Sequence, residues 1–132
     1  MDVCPLCEAI ADGPLVANGE GTIALFDKYP LSPGHCLVLP RRHVPLFWDL
    51  SPSELTALFD LLSKAKAIVD ERYRPGGYNI GVNVGEVAGQ TIQHVHIHLI
   101  PRYAGDDPDP RGGVRWILPE RALFGVNTDL DP

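Results

Sequence analysis

The chain has 132 residues, enough to bury one core without covalent staples. Apolar residues make up 45% and charged residues 21%, and no apolar run approaches the ~18 residues that a membrane span needs. The formal charge of −6 opposes a broad nucleic-acid-binding surface, but not a small phosphorylated ligand held in a local pocket.

The N-terminus, MDVCPLCEAI, lacks a basic stretch followed by an apolar one, so no secretory signal is expected and the default location is cytoplasmic. Cys4, Cys7 and Cys36 are an odd set, which argues against a disulfide framework. Cys36 lies in an apolar run and reads as a small core residue. CEAIADG reads as a short helix ended by Gly13. TIALFD (22–27) and HCLVLP (35–40) read as strands that form an antiparallel pair across the turn-rich KYPLSPG.

The clearest helix follows. Ser51 is an N-cap, Pro52 suits the first helical position, and Glu54 completes a capping box. Leu55, Leu58, Phe59, Leu62, Ala65 and Val69 recur at helical spacing to about Tyr73, where RPGG breaks the pattern. YNIGVNV (78–84) reads as a strand, GEVAGQT as a loop, and IQHVHIHLIP (92–101) as the last strand. The remainder is rich in Pro, Gly and Asp. Residues 1–104 are expected to form the core, and 105–132 a mostly irregular tail of the same domain that wraps the body or meets a partner chain. Trp116 in that tail is expected to pack in an interface or over the core, ahead of stacking on part of a bound ligand. Four or five mainly antiparallel strands with one long helix on a face make an α+β domain.

Side chains alternate along a strand, so His94, His96 and His98 share one face and Val95, Ile97 and Leu99 the other. Such a row is a solvated face, a metal site, or a nucleophile flanked by helpers. His94 and His98 start ~13 Å apart on a regular strand, too far for one ion with bonds of ~2 Å. The loop before the strand favours the nucleophile. Gly85 and Gly89 let backbone N–H groups approach an anion, and Gln90 and Thr91 add an amide and a hydroxyl. A nucleophilic imidazole beside an anion cradle suggests phosphoryl or nucleotidyl transfer.

His94-Val95-His96-Ile97-His98-Leu99-Ile100 resembles the signature of the histidine triad family, as do the flanking NVGEVAGQTIQ and IPR and the earlier ALFDKYPLSPGHCLVLPRRHV. The resemblance covers about residues 4–104. It implies a five-stranded antiparallel sheet, a homodimer, and hydrolysis or transfer of nucleoside monophosphate groups from dinucleoside polyphosphates or nucleoside phosphoramidates. It implies that His96 attacks the α-phosphorus and forms a nucleotidyl-histidine, while His98 lines the phosphate site and assists proton transfer. Gly89, Gln90, Thr91 and Asn83 would hold phosphate oxygens or the leaving group, and His35 would be a fourth histidine near the triad. Asp27 would contact the ribose hydroxyls, with turn capping as its rival role. Ile23 and Leu25 either sandwich a base or belong to the core.

Cys4 and Cys7, in C-x2-C spacing, can share one zinc, which needs two further ligands. By resemblance to bacterial members of the family, those are His43 and His94, giving a structural zinc site. A nucleotide-binding module without catalysis and a zinc-stabilised interaction protein are the rival functions. The triad with Gln90 and Thr91 favours an enzyme.

Overall fold

The computed structural model describes residues 3–123. Helix α1 (Pro5–Asp12) is followed by strands β1 (Leu15–Gly19), β2 (Thr22–Phe26) and β3 (Cys36–Pro40), helix α2 (Pro52–Tyr73), and strands β4 (Gly77–Val82) and β5 (Ile97–Arg102). The strands form one sheet in the order β1-β2-β3-β5-β4, and every pair is antiparallel. This is the α+β arrangement with a five-stranded sheet.

The α2 signals read from the sequence are all present. Ser51 Oγ accepts the Glu54 N–H, and the Glu54 carboxylate accepts the Ser51 N–H. The helix ends at Arg74, in the left-handed conformation, just before Pro75. Leu58, Leu61, Ala65 and Val69 are buried against Ala24, Cys36, Val38, Val95, Ile97 and Leu99. Phe59, expected on the buried stripe, is 53% exposed, and Leu61 takes the buried place instead. Cys36 is fully buried, as expected, and burial pushes its thiol up to about 12.

The opposite face of the sheet carries Ile23, Leu25, Leu37 and Leu39, which pack with Leu6 of α1. Ile23 and Leu25 are therefore core residues. Central strands with apolar residues on both faces lock the β2–β3–β5 register, because a one-residue slip would bury histidines against α2.

Beyond shifts of one or two residues at strand ends, two features differ from the sequence reading. β1 was not foreseen. The last strand begins at Ile97, not at residue 92. The reason lies on its neighbour: β3 ends in Pro40, which has no N–H to offer, and its carbonyl is taken by the His94 ring. The segment 92–96 is held by other means, including Val95 N–H to Val44 O at 2.7 Å. The alternation nonetheless persists: Val95, Ile97 and Leu99 join the α2 core while the histidines turn away.

After β5 the chain folds back as two short 3-10 helices, Gly113–Ile117 and Pro119–Arg121. Among the described residues, no helix is long and apolar enough to cross a membrane.

Candidate active site

The histidines feed two separate places. A cleft of about 870 Å³ opens on the sheet face opposite α2 and is lined by His35, His96, His98, Asp27, Asn83, Gly89, Gln90 and Thr91. Cys4, Cys7, His43 and His94 gather elsewhere, with one donor atom from each within 4.8 Å of the others. The eight residues expected around substrate thus gather at one place and the four expected around a metal at another.

Ring-nitrogen roles follow from partners that can only accept or only donate. His96 Nδ1 lies 2.8 Å from the His94 carbonyl oxygen, so Nδ1 carries the proton and Nε2 keeps a bare lone pair. His35 Nδ1 accepts the Leu31 N–H at 3.0 Å, so in the neutral ring Nε2 is the donor. That donor meets His98 Nδ1 at 2.9 Å, which leaves His98 with an N–H at Nε2. Burial is the main cause that holds His98 low, at about 4, helped by the neighbouring His96 and His35 and opposed by Asp27. Burial likewise lowers His35 against the pull of Asp27. Both rings are neutral at pH 7, as the hydrogen-bond chain requires.

Glycine fixes the entry of His35. Gly34 has φ +89, and a Cβ there would lie 2.9 Å from the Tyr73 ring and 3.0 Å from Val69, so the loop closes onto the end of α2 only without a side chain. Ser32 Oγ donates to Pro101 O and Tyr103 OH to Pro33 O, both at 2.6 Å, pinning the same loop to β5. Asp27 does two things. Its Oδ1 accepts the Tyr29 N–H at 2.8 Å, capping the turn, and its Oδ2 lies 3.4 Å from His35 Nε2 and 3.9 Å from His98 Nδ1.

The glycine loop is a tight 3-10 turn (Glu86–Ala88) closed by Gly89 in the left-handed conformation at φ +93. Gln90 is 3% exposed, and its side chain clamps this loop. Its Oε1 accepts the Gly85 N–H at 2.9 Å, and its Nε2 donates to Pro45 O at 2.7 Å and Ile92 O at 3.1 Å. This differs from a direct phosphate contact, because both amide protons are already held by carbonyls. Thr91, next in the chain, is exposed at the cleft. Among the described residues, neither its hydroxyl nor its N–H has a partner, so both remain available.

Three groups of cleft residues escaped the sequence reading. Asn79 and Gly81 share the cleft face of β4 with Asn83, a period-2 signal that was there to be used. Ile100 extends the His96–His98 row by one step. Gly113, Val114 and Ile117 of the tail line the cleft of their own chain. Trp116, by contrast, is 41% exposed and donates its indole N–H to Arg111 O at 2.7 Å, closing a turn of the tail.

At the second cluster, Cys4 caps α1, its sulfur accepting the Cys7 N–H at 3.4 Å. His94 is fully buried and donates Nε2–H to Pro40 O at 2.8 Å, so its Nδ1 lone pair faces the sulfurs. The separations are 3.7 Å from Cys4 Sγ to His94 Nδ1, 3.5 Å from Cys7 Sγ to His94 Nδ1, and 3.4 Å from Cys7 Sγ to His43 Nδ1. A tetrahedral zinc with bonds of ~2.0–2.3 Å has ligand separations of roughly 3.3–3.8 Å. The donor set and spacing therefore fit such an ion, and a ligating ring whose far nitrogen donates to a carbonyl is the usual second-shell arrangement. Asp27, His35 and His98 also bring donor atoms within 4.8 Å. There the far nitrogen of His35 accepts an N–H, which is incompatible with neutral Nε2 ligation, so that trio is a hydrogen-bond chain.

A profile of the HIT domain matches residues 10–105. The chain belongs to the histidine triad (HIT) family. This HIT protein is 47% identical over 83 residues to a bis(5'-nucleosyl)-tetraphosphatase (asymmetrical) of Schizosaccharomyces pombe, spanning 63% of the chain and 46% of that protein. It is 38% identical over 96 residues to an AP-4-A phosphorylase of Mycobacterium tuberculosis, spanning 72% of the chain and 49% of that protein. The match spans about half the length of each of these relatives. Among solved structures, a HIT family protein from Bacillus anthracis superposes with a TM-score of 0.74 at 34% identity, covering 80% of this chain and 77% of that one. A Zn-bound histidine triad family protein from Mycobacterium smegmatis gives a TM-score of 0.70 at 29% identity, covering 80% and 84%.

Proposed function

We propose that this HIT protein is a nucleotidyl hydrolase that works through a nucleotidyl-histidine intermediate. The observation that carries the reading is the bare Nε2 of His96, presented in a cleft beside unpartnered donors. His96 Nε2 attacks the α-phosphorus of a nucleoside phosphoric derivative, and the bond to the leaving group breaks. Water then attacks the phosphorus, His96 departs, and a nucleoside monophosphate is released. A departing amine takes up one proton in the first step and the attacking water gives one up in the second, so protons balance over the cycle.

Charge on the equatorial oxygens is stabilised by donors already in place: His98 Nε2–H, Thr91 N–H and hydroxyl, and the Asn83 amide. This gives His98 a hydrogen-bonding role at phosphate rather than that of a charged acid, in keeping with its lowered pKa. His35 fixes the His98 tautomer from behind. The free edge of Asp27 is the candidate for ribose hydroxyls. The names of the two relatives support dinucleoside polyphosphates as one substrate class, and phosphoramidates are the other. Phosphate in place of water as the second-step acceptor is an alternative that the M. tuberculosis relative's name raises.

Cys4, Cys7, His43 and His94 hold a structural zinc in this reading, supported by their spacing and by the Zn-bound neighbour. When bound, zinc ties the N-terminal segment to His94. The protein works as a homodimer with residues 1–104 as the HIT core and the tail as part of the same domain, and its setting is the cytoplasm.

The test is His96→Asn with a fluorogenic adenosine phosphoramidate and with diadenosine tetraphosphate. Expected is a loss of at least ~10³-fold in kcat with nucleotide affinity kept within a few-fold. Turnover near the wild-type rate sinks the assignment. Nucleotide binding by the wild type without product from either substrate favours the binding module.

A further inference from the structure

Of the three cysteines, two are open to an oxidant and one is not. Cys4 and Cys7 are partly exposed at the start of α1, and the His43 ring beside Cys7 is exposed. Cys36 is fully buried in the α2 core, and its thiol donates to Gly34 O at 3.1 Å. Burial pushes it up to about 12, so it stays an unreactive thiol at neutral pH.

The sulfurs of Cys4 and Cys7 lie within 4.8 Å of each other. Cys4 is the N-cap of α1 and Cys7 follows three residues later, a spacing that puts Cβ atoms about 5–6 Å apart on a helix. A disulfide needs ~3.5–4.5 Å between Cβ atoms and ~2.05 Å between sulfurs. Cys4 is the residue placed to close that gap, because its backbone is extended, at φ −70 and ψ 120, rather than helical. The other two members of the group come from far along the chain: His43 lies 36 residues from Cys7, and His94 lies 87. A bond between the sulfurs would remove two of the four donors, and two imidazoles are too few for a tetrahedral ion. The group is also one of two ties on α1. The other is apolar, with Leu6 packed on Ile23, Leu25, Leu37 and Leu39 and with Ala9 and Ile10 at its edge.

We infer that Cys4 and Cys7 are a reversible two-electron redox pair, whose oxidation by a peroxide to an intramolecular disulfide ejects the metal and frees α1 from His43 and His94. One thiolate attacks a peroxide oxygen, the O–O bond breaks and hydroxide leaves, giving a cysteine sulfenic acid. The second thiolate attacks that sulfur, the S–S bond forms, the S–O bond breaks and a second hydroxide leaves. Each sulfur gives up one electron, the peroxide takes both, and two protons from solvent turn the hydroxides into water. A dithiol reductant returns the two electrons by exchange. The ejected ion rests on the zinc reading, while the chemistry of the pair is independent of the nucleotidyl-transfer reading. In a reducing compartment the thiols remain reduced and the metal remains bound until oxidant is present.

The experiment treats the wild-type protein, as isolated and after reloading with zinc, with hydrogen peroxide in the presence of a chromogenic zinc indicator, beside a sample without peroxide. Intact mass, peptide mapping and Tm are followed together. Expected are a mass loss of two hydrogens, a peptide that links Cys4 to Cys7, release of one zinc per link, and a fall in Tm toward that of chelator-stripped protein. Dithiothreitol with added zinc should reverse all four. Cys36 should be alkylated only after denaturation, in treated and untreated samples alike. Cys7→Ser should form no intramolecular link. Zinc retained under excess peroxide, oxidation to sulfinic acid without a link, or a link through Cys36 overturns the inference and leaves the zinc site standing. Protein that takes up no zinc but forms the Cys4–Cys7 link refutes the zinc site and leaves the redox pair standing. Neither zinc nor link refutes both.

Discussion

Gln90→Ala separates a loop clamp from a phosphate ligand. The side chain is 3% exposed and makes three hydrogen bonds, to the Gly85 N–H and to the carbonyls of Pro45 and Ile92. Truncation leaves all three backbone groups without these partners in a half-buried loop. At ~1 kcal/mol net for each neutral hydrogen bond, the loss is about 2–4 kcal/mol, allowing for non-additivity within one network. For a chain of this size, at roughly 3 °C per kcal/mol, Tm falls by about 6–12 °C. Urea unfolding followed by circular dichroism gives the free energy, and steady-state kinetics on the same preparations gives the functional effect. Gln90→Glu sharpens the comparison. It keeps an acceptor for Gly85 but sets a carboxylate against two carbonyl oxygens, so its destabilisation should equal or exceed that of alanine. A Gln90→Ala protein as stable as the wild type within ~0.5 kcal/mol, but slow, would refute the clamp and restore direct phosphate contact.

The remaining predictions concern charge, metal and capping. His98 titrates at about 4 in the fold against 6.5 when free, so between those values the unfolded chain binds protons that the folded one refuses. Stability is therefore full above pH 6.5 and declines as pH falls toward 4, by about 2 kcal/mol at pH 5. Denaturant midpoints at pH 7.5 and 5 check this, and the decline should shrink in His98→Gln; an identical decline in that variant removes His98 as its source. Purified protein should carry about one equivalent of zinc, and Cys7→Ser or a strong chelator should abolish it and lower Tm by at least ~10 °C. Metal content below a tenth of an equivalent without chelator exposure counts against the site. Ser51→Ala should cost about 1 kcal/mol through loss of the capping box at α2, read as a shift in urea midpoint without a change in slope.

Features of the site that depend on local periodicity were legible in the sequence. The capping box at Ser51 and Glu54, the alternation of histidines with Val95, Ile97 and Leu99, and the positive-φ glycine of the loop are properties of a few consecutive residues. β1 was missed because it is an edge strand whose LVANG sequence alternates weakly, and its partner β2 is what makes it a strand. Phe59 and Leu61 both fit an amphipathic helix, and only the direction from which the sheet approaches α2 decides between them. The clamp made by Gln90 was not legible for a related reason. An amide near a glycine loop suits an anion, but the carbonyls of Pro45 and Ile92, one of them distant in sequence, reach it first. The part played by Val114 and Ile117 depends on where an irregular tail returns, which no local pattern encodes.

Three chemically identical side chains on one short segment acquire three different roles because backbone groups choose their protons. Pro40 O takes the Nε2 proton of His94 and turns a bare Nδ1 toward the cysteines. His94 O takes the Nδ1 proton of His96 and turns a bare Nε2 toward the cleft. His35 fills Nδ1 of His98 and leaves it a donor. The first two choices share a residue: the carbonyl that sets the His96 tautomer belongs to the same peptide unit whose side chain completes the Cys4–Cys7–His43 group. Rotation of that peptide would release His96 Nδ1 and allow the other tautomer, in which Nε2 carries the proton and has no lone pair for the proposed attack on phosphorus. Whatever fixes His94 therefore also fixes the protonation of its neighbour two residues on, and the cysteine cluster reaches the cleft through one carbonyl group.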